Sequence, residues 1–561
     1  MIAVRQLAFF LLAGSLAAQS KLSPDLLSGK DSDELDVIVQ LKPGADPDAM
    51  ATKARGWMKS RMDSVGMAVL KVSRGQMRQL EKDPDLVYAS PDRAVKGTSY
   101  FQHLLRGYSV GLPMYPTAST MGTGVGVAII DSGITDGPYF RDGSCNASRI
   151  VYSENFVTGE NTTADPYGHG SHVAGIAGGM GKCLITQNDG SHISGMAPGI
   201  NIYNMRVLNA QGSGSDSTVI KAIDKVLSLR SKTPSKIRVI NLSLGRPIYE
   251  SFTTDPLCQA VEKAWKAGVT VVVAAGNNGR DNTNGTQGYG TIASPGNDPY
   301  VITVGAARNG SDIVYRTDDT VATYSSKGPT SVDKVVKPDL VAPGNQVYAV
   351  IAPTAYLAGT YGANLGSITV GSEPINSNFR LSGTSMAAPV VAGGVALMLQ
   401  ADSGLTPDQI KARLMKTAYK GLAPAATVDS GSGVYYVNHD IFALGAGFVD
   451  LGAALASTDK IPNSQRALSP RVVLVSGAPK LSYDYSAIKV SASSICWGSS
   501  VIWGENVVWG TNVVGTSVVN GSSVIWGETT ARGYSVIWGE SFPSGASNPF
   551  SESLSIQGDQ N

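Results

Sequence analysis

From residue 122 onward, apolar residues come in short, nearly unbroken runs: Gly122–Ile130, Asn201–Val207, Arg238–Leu242, Thr270–Ala275 and Val301–Val304. A run without polar alternation marks a strand covered on both faces, as in a parallel sheet. Ser217–Arg230 and Leu257–Ala267, between these runs, carry helical periodicity. Thr406-Pro407 supplies an N-cap and a first-turn proline for a helix through Lys416. Gly445-Ala446-Gly447-Phe448-Val449-Asp450 reads as a turn opening a closing helix over Leu451–Leu455. The alternation predicts an α/β domain: a doubly wound, mostly parallel sheet with helices on both faces. Sites in such sheets lie at the carboxyl ends of the strands.

The preceding part of the chain follows another rhythm. Asp36–Leu41 reads as a strand stopped by Lys42-Pro43-Gly44, and Ala49–Ser64 as a helix. Met67–Val72 is a second strand, Ser73–Lys82 a helix halted by Asp83-Pro84, and Val87-Tyr88-Ala89 a third strand. These elements make a small α+β module within 36–96, preceded by a polar, unstructured stretch over 19–35. Ahead of that, Arg5, the apolar Leu7–Ala13 and the small residues Leu16-Ala17-Ala18 have the layout of an export signal over 1–18. The apolar stretch is short for a membrane span of about 20 residues. No other segment is long and apolar enough, so no transmembrane anchor is expected.

The α/β pattern ends near Ser457, and a linker is expected over 457–494. The 495–561 tail is repetitive: Cys496-Trp497-Gly498, Trp503-Gly504, Trp509-Gly510, Trp526-Gly527 and Trp538-Gly539 each follow an apolar pair or its variant. β-branched pairs closed by Trp-Gly suggest short strands and turns that cannot bury themselves singly. Such a β-rich tail suits contact with a surface, a glycan or the preceding domain, or a segment removed on maturation, or a loosely ordered end.

Charge narrows the class further. Lys+Arg number 45 against 44 Asp+Glu, which gives no basic stripe for nucleic acid and no pull towards an anionic surface. Cys145 and Cys183 lie in loop-like sequence, and in an exported chain they are the favoured disulfide pair. The cysteine spacings match no zinc pattern.

The candidate chemistry centres on Leu381-Ser382-Gly383-Thr384-Ser385-Met386-Ala387-Ala388-Pro389, which opens into an apolar, small-residue run. Ser385 would stand at a helix N-terminus, where free N–H groups favour developing negative charge. A capped helix start explains the same pattern. Asp131 ends the first buried strand as a candidate acid or a turn residue. His169 and His172, two of only five histidines, sit among glycines in Gly168-His169-Gly170-Ser171-His172; a base, a metal pair and a solvated turn all fit. Asn277, in Ala275-Gly276-Asn277-Asn278-Gly279, offers an amide just past a strand, or simply turn chemistry.

Asp131, His169 and Ser385 satisfy the requirements of nucleophilic acyl transfer: a hydroxyl, a base to take its proton, and a carboxylate to hold the imidazole tautomer. The order Asp, His, Ser and the absence of a Gly-x-Ser-x-Gly elbow set the chain apart from the α/β-hydrolases. Across residues 100–456 these four segments resemble the subtilisin-like serine peptidases.

The resemblance implies Asp131 as orienting acid, His169 as general base and acid, Ser385 as nucleophile and Asn277 as oxyanion donor beside the Ser385 N–H. His169 is preferred over His172 because the family motif begins with the catalytic histidine. It also implies that Ser243-Leu244-Gly245 and Gly212-Ser213-Gly214 line the two edges of a peptide groove. Ala293-Ser294-Pro295-Gly296 would form the pocket floor, with Ser294–Pro295 cis. The module within 19–97 resembles the family's inhibitory propeptide, with processing expected over Asp92–Thr98 and a catalytic domain over 98–456. No cofactor is required for such chemistry. Relatives bind structural calcium, and Asn188-Asp189-Gly190 offers oxygens for it. The long Pro353–Phe379 stretch reads as an inserted loop, either walling the cleft or forming a surface excursion. The expected protein is thus a secreted endopeptidase acting on protein or peptide substrates and inhibited by its own propeptide. An esterase on the same triad, or a binding protein acting through the tail, are the alternatives.

Overall fold

The computed structural model describes residues 20–97, 117–180, 194–231, 236–283, 285–310, 316–370, 373–430, 433–475 and 478–482. They fall into two compact units: one comprises residues up to 61 together with 66–91, the other 62–65 and everything from Asp92 onward. The export signal, the Asn188-Asp189-Gly190 stretch and the Trp-Gly tail lie outside the described residues.

The first unit contains α1 (Pro24–Leu27), β1 (Glu34–Leu41), α2 (Pro47–Lys53), β2 (Trp57–Met62), β3 (Met67–Ser73), α3 (Arg74–Leu80) and β4 (Leu86–Pro91). Its sheet runs β2-β3-β1-β4, with β1 antiparallel to both β3 and β4. Val37, Val39, Leu70, Val72, Met77 and Leu86 fill the core. Ser73 caps α3 through a reciprocal pair with Gln76. Two expectations are corrected here: the 19–35 stretch is not unstructured, since it holds α1 and sends Leu22 and Leu26 into the core, and the helix over Ala49–Ser64 ends at Lys53, with β2 a strand. Arg55 takes φ 47°, and a side chain on Gly56 would come within 2.7 Å of the Lys71 carbonyl. The chain must turn there. Beyond it, exposed Trp57, Lys59 and Arg61 alternate with the more buried Met58, Ser60 and Met62, which is a strand period.

The second unit is built on an eight-stranded sheet of β6 (Gly126–Asp131), β7 (Ile150–Asn155), β8 (Asn201–Arg206), β10 (Ile237–Leu242), β12 (Thr270–Ala274), β13 (Ile302–Arg308), β14 (Thr320–Val321) and β15 (Leu340–Pro343). Its order is β14-β13-β12-β10-β6-β8-β7, with β15 also paired to β13. Every pairing is parallel except β13–β14. All five expected strands are present. β7 gives no apolar run because it is an edge strand with no fully buried residue.

Helices α4 (His169–Gly178), α5 (Asp216–Leu229), α6 (Pro256–Lys266), α8 (Thr384–Ala401), α9 (Pro407–Thr417) and α10 (Leu451–Ala456) accompany the sheet. Among the described residues α8 is the one helix long and apolar enough to cross a membrane, but it is a core helix, packed on α4, β10, β12 and β13.

Two expectations about connecting segments change. The stretch read as an inserted loop holds α7 (Tyr356–Thr360), β17 (Leu365–Val370) and β18 (Glu373–Leu381); β18 pairs with β17 and with β16 (Val347–Val350). The linker expected over 457–494 is packed structure as far as it is described. The Val336 N–H donates to Pro470 O at 2.7 Å, the Ser469 N–H to Pro299 O at 3.0 Å, and β21 (Arg471–Val475) pairs with β22 (Ala478–Ser482). Cys145 is disulfide-bonded, Cys183 lies outside the described residues, and Cys258 is a buried free thiol. Ser294–Pro295 is cis, as expected.

Candidate active site

Asp131 is the last residue of β6 and His169 the first of α4. Asp131 Oδ1 lies 2.7 Å from His169 Nδ1 and accepts the Ser132 N–H at 2.7 Å. Both side chains are shut off from solvent. The turn leading into α4 is set by Asp165, which accepts the Ser132 hydroxyl, the Gly168 N–H and the Ser171 N–H, each at 2.7 Å. Ser132 Oγ in turn accepts the Gly170 N–H at 2.9 Å. Burial raises the Asp165 carboxyl above its ordinary range, and these donors oppose it.

His172 is disposed differently. Its Nε2 donates to Val347 O at 3.1 Å and Phe379 O at 2.9 Å, and burial pushes its pKa down to about 3. It is a neutral structural donor to the β16–β18 pair, whereas His169 holds the carboxylate.

Ser385 lies in the first turn of α8, fully buried. Pro389 sits inside that helix and has no N–H to offer the carbonyl four residues back, which is that of Ser385. The Ser243 hydroxyl fills the role, donating to Ser385 O at 2.8 Å, while Ser385 Oγ donates to Ser243 O at 3.0 Å. Asn241 Nδ2 donates to Ser243 Oγ at 2.8 Å. Ser243, expected among the groove-lining residues, is thus a fully buried partner of the α8 N-terminus.

Asn277 Oδ1 accepts the Thr384 N–H and hydroxyl, each at 3.0 Å. Its Nδ2 is buried with no hydrogen-bond partner. A buried, unpaired amide donor costs about 1–3 kcal/mol unless something else satisfies it.

The groove edges are β9 (Ser213–Ser215) and β11 (Leu244–Gly245), and between them runs β5 (Ala94–Gly97), antiparallel to both. Leu244 pairs with Gly97 and Gly245 with Lys96; Ser213 pairs with Lys96 and Gly214 with Val95. Gly212 takes φ 73°, and a side chain there would meet the Tyr167 ring at 2.5 Å. The Tyr167 ring is 6.3 Å from that of His169 and stacks on Tyr356 at 6.0 Å. Ala293 donates its N–H to Ala275 O at 2.9 Å, just ahead of Asn277, while Ser294 exchanges backbone hydrogen bonds with Arg246 beyond β11. The residues expected at the groove therefore converge, with Ser243 buried against Ser385 itself.

Asp165, Tyr167 and Thr384 are the polar and aromatic residues that sequence reasoning missed. Their immediate neighbours Gly168-His169 and Ser385 were the available signal. Among the described residues, no group of three or more His, Cys, Asp or Glu is placed to hold a metal.

Residues 122–443 match the model of the Subtilase family. The chain is 38% identical to serine protease AprX of Bacillus subtilis, over 52% of this chain and 60% of that protein. It is 33% identical to subtilisin DY of Bacillus licheniformis, over 53% of this chain and 84% of that protein. It is 29% identical to subtilisin E of Bacillus subtilis, over 70% and 87% respectively. Fervidolysin from Fervidobacterium pennivorans, described as a keratinolytic enzyme related to subtilisin, has a similar fold, with TM-score 0.57 at 20% identity. That match covers 79% of this chain and 64% of fervidolysin.

Proposed function

Since this chain belongs to the subtilase family of serine peptidases, we propose that it is a secreted serine endopeptidase hydrolysing peptide bonds through an acyl-enzyme. In this reading His169 takes the Ser385 hydroxyl proton as the oxygen attacks a substrate carbonyl, and returns it to the leaving amine. Asp131 holds the imidazole tautomer and stabilises the imidazolium. The Asn277 Nδ2 and the Ser385 N–H receive the oxyanion, and water then hydrolyses the acyl-enzyme by the same route in reverse. The observation that carries the proposal is the 2.7 Å Asp131–His169 hydrogen bond, shut off from water beside the helix whose first turn holds Ser385. The unpaired Asn277 amide is a second support.

The groove favours a peptide over a simple ester, because β5 is held there by backbone pairing on both edges, the mode of an added strand. We read β5 as the end of an inhibitory propeptide, released after cleavage near Thr98. The test is labelling with a fluorophosphonate and hydrolysis of a protein substrate at neutral pH. Both are expected of the processed protein, and Ser385→Ala abolishes both. A processed protein that neither labels nor cuts overturns the proposal.

A further inference from the structure

Upstream of β5, the chain is held by something other than backbone pairing. Arg93 is buried, and its Nη1 forms an ion pair with the buried Glu250. Its guanidinium also lies over the Tyr249 ring, 5.0 Å from the centroid. The Arg93 carbonyl accepts the Asp216 N–H at 2.6 Å, fixing the backbone from which the side chain departs. Next to it, the Asp92 carboxylate accepts the Ser217 N–H at 2.6 Å and the Ser217 hydroxyl.

A second buried ion-pair cluster lies beneath this point. Arg246 is fully buried between Asp216, at 2.9 and 3.0 Å, and Asp255, at 2.9 Å. Its guanidinium approaches the same Tyr249 ring, 5.7 Å from the centroid. Asp216 and Asp255 are thus matched with Arg246, and the Glu250 carboxylate is met by the Arg93 guanidinium. A buried carboxylate makes strong, charge-assisted hydrogen bonds, so Glu250 is a good acceptor for a guanidinium. The ring presents a π face to that group, and a planar guanidinium suits it better than an ammonium.

We propose that Glu250 and Tyr249 form a cation-accepting subsite at the N-terminal end of the peptide groove. It takes an arginine two residues before the position occupied by Val95, in substrates as in the chain's own segment. Val95 is fully buried and pairs with Gly214, so it fixes the register from which the arginine is counted. The subsite rests on the peptidase reading, since the groove must accept substrate in the direction that β5 takes. It adds selectivity far from the bond that is cut. It also makes Arg93 an anchor for the inhibitory segment independent of the strand pairing.

The experiment uses the processed enzyme and internally quenched peptides spanning residues 90–102, with Arg, Lys or Ala at the Arg93 position. The wild-type enzyme is expected to lose about tenfold or more in kcat/KM from Arg to Ala, with Lys between them. In Glu250→Gln the Arg-to-Ala ratio collapses towards one. Because a ratio within one variant is read, partial loss of folded protein does not affect it. Tyr249→Leu, at a half-exposed position, is a second variant that narrows the ratio if Glu250→Gln does not fold. An enzyme that takes fluorophosphonate label and cuts the Arg and Ala peptides within twofold of one another overturns the subsite and leaves the peptidase reading standing. So does a labelled enzyme that cuts none of the three. An enzyme that neither labels nor cuts overturns both.

Discussion

Thr384 grips Asn277 twice: its N–H and its hydroxyl both donate to Oδ1, each at 3.0 Å. The same hydroxyl accepts the Gly276 N–H at 3.1 Å, so it clamps the strand end and the amide together. With Oδ1 occupied, Nδ2 is the atom that the proposed mechanism leaves to face a developing oxyanion.

Thr384→Val removes one of the two anchors but keeps the volume. A roughly tenfold fall in kcat with little change in KM is expected, because the amide is looser only where the transition state needs it. Asn277→Leu removes the donor itself, and about 10²–10³-fold is expected, the magnitude established for that donor in subtilisin. Steady-state kinetics on one peptide substrate compare the two. Equal KM and kcat for Thr384→Val and wild type would refute the clamp.

Asp165 acts through the turn that delivers His169. In Asp165→Asn one carboxylate oxygen becomes an NH₂ group aimed at a backbone N–H or hydroxyl that now lacks an acceptor. A loss of about 1–3 kcal/mol in stability is expected for the orphaned donor. A larger fall in kcat than rise in KM should accompany it, since the imidazole is displaced from Asp131. Urea denaturation and kinetics measure the two effects separately.

His172 makes stability fall in acid. Burial holds its pKa near 3, below its ordinary value of 6.5. Between those values the unfolded chain binds a proton that the folded chain does not. Stability is therefore complete above pH 6.5 and is lost as pH falls towards 3, by at most about 5 kcal/mol. His172→Gln keeps a donor for the Val347 and Phe379 carbonyls but cannot titrate, so its stability should depend less steeply on pH across that window. Parallel slopes for the two proteins would refute this account.

Asp339 carries a buried network joined through Thr303 to Gly296: the Thr303 N–H donates to Asp339 Oδ2 at 2.8 Å and its hydroxyl to Gly296 O at 2.6 Å. Lys337 Nζ lies 2.7 Å from one carboxylate oxygen and Lys411 Nζ 3.2 Å from the other, all fully buried. Burial alone would raise the carboxyl, but the two lysines outweigh it and hold it below the usual range. Lys411 is itself pushed down to about 7 by burial. Asp339→Asn removes the carboxylate that both lysines contact, leaving the more distant Asp298 and Asp408 as the acids they still feel. A loss of roughly 3–5 kcal/mol is expected by chemical denaturation.

The strands of the main sheet were legible because they are buried on both faces, and an unbroken apolar run such as Val125–Ile130 has no competing explanation. Asp131 and His169 could be picked out because each ends or begins an element among glycines. The hydroxyl of Ser243 was not legible as a support for α8, because its task exists only where Pro389 denies a hydrogen bond to Ser385. Trp57–Met62 was misread because helix α2 runs straight into it, and the turn depends on the backbone at Arg55 and Gly56 rather than on a Pro. The Pro353–Phe379 stretch reads as a loop because its Gly, Asn and Ser residues mask the hairpin. Its link to the site, Tyr356 on Tyr167, joins residues far apart in the chain.

The contacts made by Ser469 and Pro470 bear on where a shortened form of the chain can end. A chain stopped at residue 456 would strip the Ser469 hydroxyl from Asp339 and Lys411, and would leave the Val336 N–H without Pro470. Polar groups now sealed in the interior would meet solvent or go unmatched. A chain carried through Ser482 keeps the seal and the closing hairpin. Maturation that removes the Trp-Gly repeats therefore has a natural limit downstream of β22, well beyond the last core helix.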